Sequence, residues 1–178
     1  KNFMNSYEFS KFYSGKVIKI VQNLIDGKKY KNCKNKNGYK FNMKSYGFRT
    51  NFWIEFVSGT LRNGDLFLYD DCRGFCTTDF IRIPIFHNDK VFVDLDYLRS
   101  ILIHEFTHCY QKQYQVKFES SADDYYLWLA DENEQEAILN QFQFGLECGK
   151  SFGELIKIRN FNELYKWYPG VFKKFRKV

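Results

Sequence analysis

Five consecutive residues, His104-Glu105-Phe106-Thr107-His108, constrain this chain more than any other feature. Histidines four residues apart stand one above the other on the same face of an α-helix, so the two imidazoles can share a metal ion. The glutamate between them is then placed beside the position the ion leaves open. The chain has only three histidines, and two of them lie in this motif. Its flanks predict a helix: Tyr97-Leu98-Arg99-Ser100-Ile101-Leu102-Ile103 spaces apolar residues at a helical period, and Cys109, Tyr110 and Gln111 continue it without Gly or Pro. The competing explanation, a surface helix with two solvated histidines, fits these apolar flanks poorly.

The motif and its helix resemble the active-site helix of the zincin metallopeptidases. The resemblance covers the motif and its immediate flanks and is loose elsewhere. It implies one catalytic Zn2+ held by His104 and His108, Glu105 as general base, and a protein or peptide substrate. Zincins differ in their third ligand. The metzincin pattern requires a histidine six residues after the second, where this chain has Tyr114, and no histidine follows His108 at all. His87 lies upstream at an expected strand end, where an ordinary polar role fits better. A carboxylate is therefore expected to complete the site, as in the gluzincins, whose third ligand is a glutamate on a later helix.

That helix is expected from about 121 to 145, opened by Ser120-Ser121-Ala122-Asp123 and closed by Gly145. With successive residues about 100° apart, Tyr125, Trp128, Leu129, Leu139 and Leu146 share one arc with Glu132 and Glu136 near its middle, while Asp131 and Glu134 point away. Two carboxylates one turn apart on an apolar face repel each other unless a cation is near; a shifted or partly exposed helix would leave both solvated. Gln135-Glu136-Ala137 resembles the step at the third ligand of compact ImmA/IrrE-type proteins, which favours Glu136 as ligand. Glu132 is the alternative, with Glu136 behind it. If Glu136 ligates, Asn140 takes the place of the carboxylate that orients a histidine in thermolysin-like proteins. A tyrosine or histidine commonly stabilises the oxyanion in zincins, but thirteen tyrosines give no basis for choosing one.

The remaining pattern predicts a single α+β domain over 1–178, with a small, mostly antiparallel sheet beside the two ligand helices. Residues 9–25 have helical spacing. Strands are expected at Phe52–Val57, Asp65–Tyr69, Ile81–Phe86 and Val91–Leu95, each bounded by Gly, Asn or Asp. Pro84 cannot donate to a ladder, so its strand is expected at an edge or with a bulge. The zincin resemblance adds an edge strand beside the metal that pairs with an extended substrate. From 152 onward, short helices broken at Pro169-Gly170 are expected to pack on the domain.

No run of eighteen apolar residues suggests a membrane span, and the first residues lack the order of a signal peptide. Five scattered cysteines include no Cys-x-x-Cys pair, which argues against a second structural zinc site. Cys72 and Cys76 could bridge in an oxidising compartment, but reduced packing or surface thiols are the favoured reading, since one of the five must stay unpaired; Cys109 reads as a small buried hydrophobe. Much of the net charge of +6 falls in 28–49, mixed with Tyr30, Tyr39, Phe41, Tyr46 and Phe48. This basic and aromatic loop keeps a nucleic-acid-associated protease as one alternative. A zinc-binding regulatory or virion-associated domain with little hydrolysis is another, although the intact Glu105 argues against a degenerate site.

Overall fold

The computed structural model describes residues 2–27, 34–35, 38–70, 72–114 and 132–149. The expected beginning of the glutamate helix at 121–131, the tail from 152 and part of the basic loop lie outside these residues. The elements in chain order are α1 (Ser6–Ile25), β1 (Lys34–Asn35), β2 (Gly38–Asn42), a 3-10 turn (Met43–Tyr46), β3 (Trp53–Ser58), β4 (Thr60–Arg62), β5 (Asp65–Phe67), β6 (Phe75–Cys76), β7 (Phe80–His87), β8 (Lys90–Val91), α2 (Leu95–Tyr114) and α3 (Glu132–Glu147). The class is α+β, as the sequence pattern predicts.

The main sheet has the order β1-β2-β3-β7-β6, with β8 also on β7. Only β3 and β7 run parallel; the other pairings in this sheet are antiparallel. Register sorts its side chains by the two-residue period of a strand. Phe41, Ile54 and Ile81 are aligned across three strands and buried, whereas the adjacent row, Lys40, Glu55 and Arg82, carries charge. In that row Arg82 Nε donates to Glu55 Oε2 at 2.8 Å and Lys40 Nζ approaches Glu55 Oε1 at 3.4 Å.

The apolar face of the sheet meets α1 and α2. In α1, Phe9, Tyr13, Val17, Ile20 and Val21 recur at helical spacing and are buried, and Asn5 caps the helix by accepting from the Glu8 N–H at 2.8 Å. In α2 the corresponding residues are Leu98, Leu102 and Phe106. Tyr13 of α1 packs edge-on to Phe48 with ring centroids 4.5 Å apart, and Phe106 lies 6.0 Å from each of these rings. Arg99 of α2 crosses to α1, donating to the Lys11 carbonyl at 3.0 Å and the Ser14 hydroxyl at 3.3 Å.

The expectation for Pro84 is met: β7 carries a bulge, because Val57 opposes Pro84 while Ser58 opposes Phe86, and on its other side β7 pairs with β6 at Ile81 and Arg82 and with β8 at Phe86 and His87, not at Pro84. Two expectations need correction. The strand expected at Val91–Leu95 stops at Val91, since Asp94 turns the chain into α2 by accepting from the Tyr97 N–H at 2.8 Å. In the basic segment, Phe41 and Phe48 are buried in the core and are not available to stack on bases. No helix among the described residues is long and apolar enough to cross a membrane.

The two faces of the sheet predict opposite responses to truncation. Phe56→Ala on the buried face should cost about 3–5 kcal/mol, whereas Lys40→Ala on the charged face should cost less than about 1 kcal/mol. Urea denaturation midpoints measure both, and equal losses would contradict the assignment of inner and outer faces.

Candidate metal centre

Helix α2 presents His104 and His108 to α3, and Glu134 in the first turns of α3 meets them. His104 Nε2 lies 3.0 Å from Glu134 Oε2, His108 Nε2 lies 3.0 Å from Glu134 Oε1, and the two Nε2 atoms are 3.2 Å apart. His108 and Glu134 are buried, and His104 is nearly so. Among the described residues these three form the one group whose donor atoms converge as metal ligands would. Tetrahedral ligands about 2.0–2.2 Å from a zinc ion are roughly 3.3–3.6 Å from one another. The observed separations come close to that spacing, and two imidazoles with one carboxylate are a donor set that zinc accepts.

The opposite edge of each ring fixes which nitrogen faces the centre. His108 Nδ1 is 2.8 Å from Gln111 Oε1. The orientation of this amide follows from its other end, since Gln111 Nε2 donates to the Asn133 carbonyl and to Glu136 Oε2, both at 2.9 Å, and neither acceptor can donate. Gln111 must therefore accept, so His108 carries a proton on Nδ1 and, when the ring is neutral, turns the Nε2 lone pair to the centre. His104 has the same arrangement, with Nδ1 2.6 Å from Gln141 Oε1.

Glu136 is therefore not at the ligand position expected for it. Its carboxylate accepts from Ser6 Oγ at 2.6 Å and from Gln111 Nε2, so it anchors the amide that orients His108. Asn140, one turn later, donates to Ser6 Oγ at 3.0 Å and to Thr107 Oγ1 at 2.9 Å, and does not touch either imidazole of the motif. Glu132 is exposed. The expected arc runs through Leu139 and Leu146, but Leu146 is 47 % exposed, while Glu134, Ala137, Ile138 and Gln141 are buried. The face toward α2 thus follows the spacing Glu134, Ala137 and Ile138, Gln141. Residues that set the other phase, Tyr125, Trp128 and Leu129, lie outside the described residues. Two of the missed groups had a legible signal. Gln111 is three residues after His108 on one helix and Gln141 is seven after Glu134, spacings that bring side chains to the same face.

Glu105 is buried at 8 % exposure. Burial raises its pKa, while the charges of His104 and His108 oppose the rise. The backbone of Gly74, just before the edge strand β6, passes close by: a Cβ there would lie 3.0 Å from Ile101 Cγ2 and 3.5 Å from Glu105 Oε1. One turn earlier along α2, a cavity of about 390 Å3 is lined by Ile101, Leu98, Tyr97, Arg73, Pro84 and Phe92, among others. His87 stands apart at the end of β7 with its ring 6.0 Å from Phe92.

Comparison with family models, with curated proteins and with solved structures finds no match to this chain.

Without metal, positive charge is held between the rings and Glu134. Burial opposes it, but the hydrogen bond and charge of Glu134 prevail and push His108 up from 6.5 to about 9. His104 is raised against the same burial penalty by Glu134, whose own carboxyl is lowered despite burial by the two histidines. A group with a raised pKa in the folded state binds protons more tightly there than in the unfolded chain. Its stabilisation is complete below the unfolded value and disappears as pH rises through the folded one. His104 and Glu105 act in the same sense. Metal-free protein should therefore lose stability between about pH 6.5 and 9, the window set by His108. Thermal midpoints after chelation test this, and a midpoint that rises across the window would contradict it.

Proposed function

We propose that this chain is a zinc-dependent metallopeptidase in which His104, His108 and Glu134 hold one Zn2+ and Glu105 is the general base. The observation that carries this reading is the convergence of two Nε2 atoms and a carboxylate, 3.0–3.2 Å apart, beside a buried glutamate from the same five-residue motif. The resemblance to gluzincins supports it, because a glutamate on a later helix, twenty-six residues after His108, meets the motif.

A bound zinc supplies a water of lowered pKa and polarises a carbonyl. The protein's residues provide the rest. Glu105 accepts a proton at a carboxylate oxygen and delivers it to the nitrogen of the departing amine. Its burial keeps water from competing for that proton and makes it more basic than a solvated glutamate. Gln111 and Gln141 hold the imidazoles by their Nδ1 protons, so the ligand nitrogens need not reorient.

The surroundings suit a peptide. Strand β6 pairs with β7 on one side only among the described residues, leaving an edge beside α2 on which an extended chain can add as a further strand. A Cβ at Gly74 would meet Ile101 at 3.0 Å and Glu105 Oε1 at 3.5 Å, so glycine lets the backbone leading into β6 lie close to that carboxylate. The cavity beside Ile101, with apolar walls and the charged Arg73 and Asp65, has room for a substrate side chain.

Glu105→Gln removes the proton acceptor with little change in shape. In a peptide-library digest its rate should fall at least about 100-fold, with zinc content unchanged. A variant that retains the wild-type rate would contradict the mechanism.

A further inference from the structure

We propose that Cys76 and Cys109 form a reversible disulfide that ties the edge strand β6 to the metal-site helix α2. Their Sγ atoms are 3.7 Å apart. Cys76 is in the two-residue edge strand, and Cys109 follows His108 directly on α2. A disulfide is about 2.05 Å long, so the sulfurs must close by roughly 1.7 Å. A two-residue strand paired only with β7 among the described residues can yield more readily than the helix it meets. Cys76 is partly exposed, whereas Cys109 is 2 % exposed. The two therefore divide the reaction: an oxidant from solution reaches Cys76, and the buried Cys109 resolves the product.

The oxidant is a small-molecule disulfide. The Cys76 thiolate attacks one of its sulfurs, forming a mixed disulfide and releasing one thiol; Cys109 sulfur then attacks Cys76 Sγ and displaces the second. The two protein thiols lose two electrons to the external disulfide, and their protons leave with the two small thiols. The consequence reaches the candidate active site through Gly74, two residues before Cys76 and adjacent to Glu105. Drawing β6 toward α2 narrows the space in front of that carboxylate. The expected loss of hydrolysis rests on the peptidase reading, but the cross-link does not.

Oxidised glutathione applied to the folded wild-type chain, followed by alkylation and peptide mapping, tests the proposal. The expected product is a linked Cys76–Cys109 peptide pair that has lost two hydrogens and is restored by dithiothreitol. The thermal midpoint should rise by several degrees on oxidation, because the bond closes a long loop in the unfolded chain. Cys76→Ser should give neither change. A glutathione adduct that remains on Cys76, or a Cys72–Cys76 bridge in its place, would overturn the proposal. Failure of the reduced protein to cleave peptides would instead count against the peptidase reading and leave the cross-link to be judged by the map and the midpoint.

Discussion

Two imidazole lone pairs and a carboxylate cannot be packed together in a buried site unless positive charge lies among them. In this protein the two Nε2 atoms are 3.2 Å apart and each is 3.0 Å from an oxygen of Glu134. Gln111 and Gln141 occupy the Nδ1 protons on the far side of the rings, so the hydrogen bonds that would otherwise let the rings turn away are already made. Protons satisfy the arrangement at the cost of raised histidine pKa values, and a divalent cation satisfies it with less repulsion among the donors. The contact that α2 and α3 make at Glu134 depends on this charge.

Behind the centre, a polar network joins all three helices. Ser6 of α1 donates to Glu136 of α3, Glu136 accepts from Gln111 of α2, and Asn140 of α3 reaches both Ser6 and Thr107 of α2. Thr107 in turn donates to the Ile103 carbonyl at 2.7 Å. Each group has partners, which is the condition under which a buried polar network orders a site rather than weakening it. Because the network uses two positions of the motif helix that do not ligate, Thr107 and Gln111, it sets that helix's rotation relative to α3. The apolar packing of α1 and α2 on the sheet places the helix; the network fixes which side chains face the centre.

Much of this was legible in the sequence, for physical reasons that differ by element. The motif helix could be read because its signal is local: two histidines at i and i+4 share a face in any α-helix. The strands β3 and β7 could be read from their apolar alternation, and the early end of β8 follows from the capping character of Asp94. The third carboxylate was harder. Glu132, Glu134 and Glu136 lie within five residues, but Glu134 faces about 160° away from the other two, so the choice turns on which face of the helix meets α2. Choosing among them requires the position of α3 against α2, which depends on non-local packing. Both glutamines were less conspicuous still, since an amide behind a metal ligand has no characteristic pattern beyond its helical spacing. The contact between Cys76 and Cys109 joins residues thirty-three apart and follows only from the register of β6 on β7 and its position beside α2.

The central claim is that Glu134 completes the metal site and Glu136 only supports it. The measurement that tests this most directly is zinc content by elemental mass spectrometry after dialysis against metal-free buffer, for wild type, Glu134→Gln and Glu136→Gln. The account predicts one zinc per wild-type chain, loss of zinc in Glu134→Gln, and retention with about 10–100-fold weaker affinity in Glu136→Gln, because the latter disturbs only an orienting contact. Full retention in Glu134→Gln, or loss confined to Glu136→Gln, would contradict it.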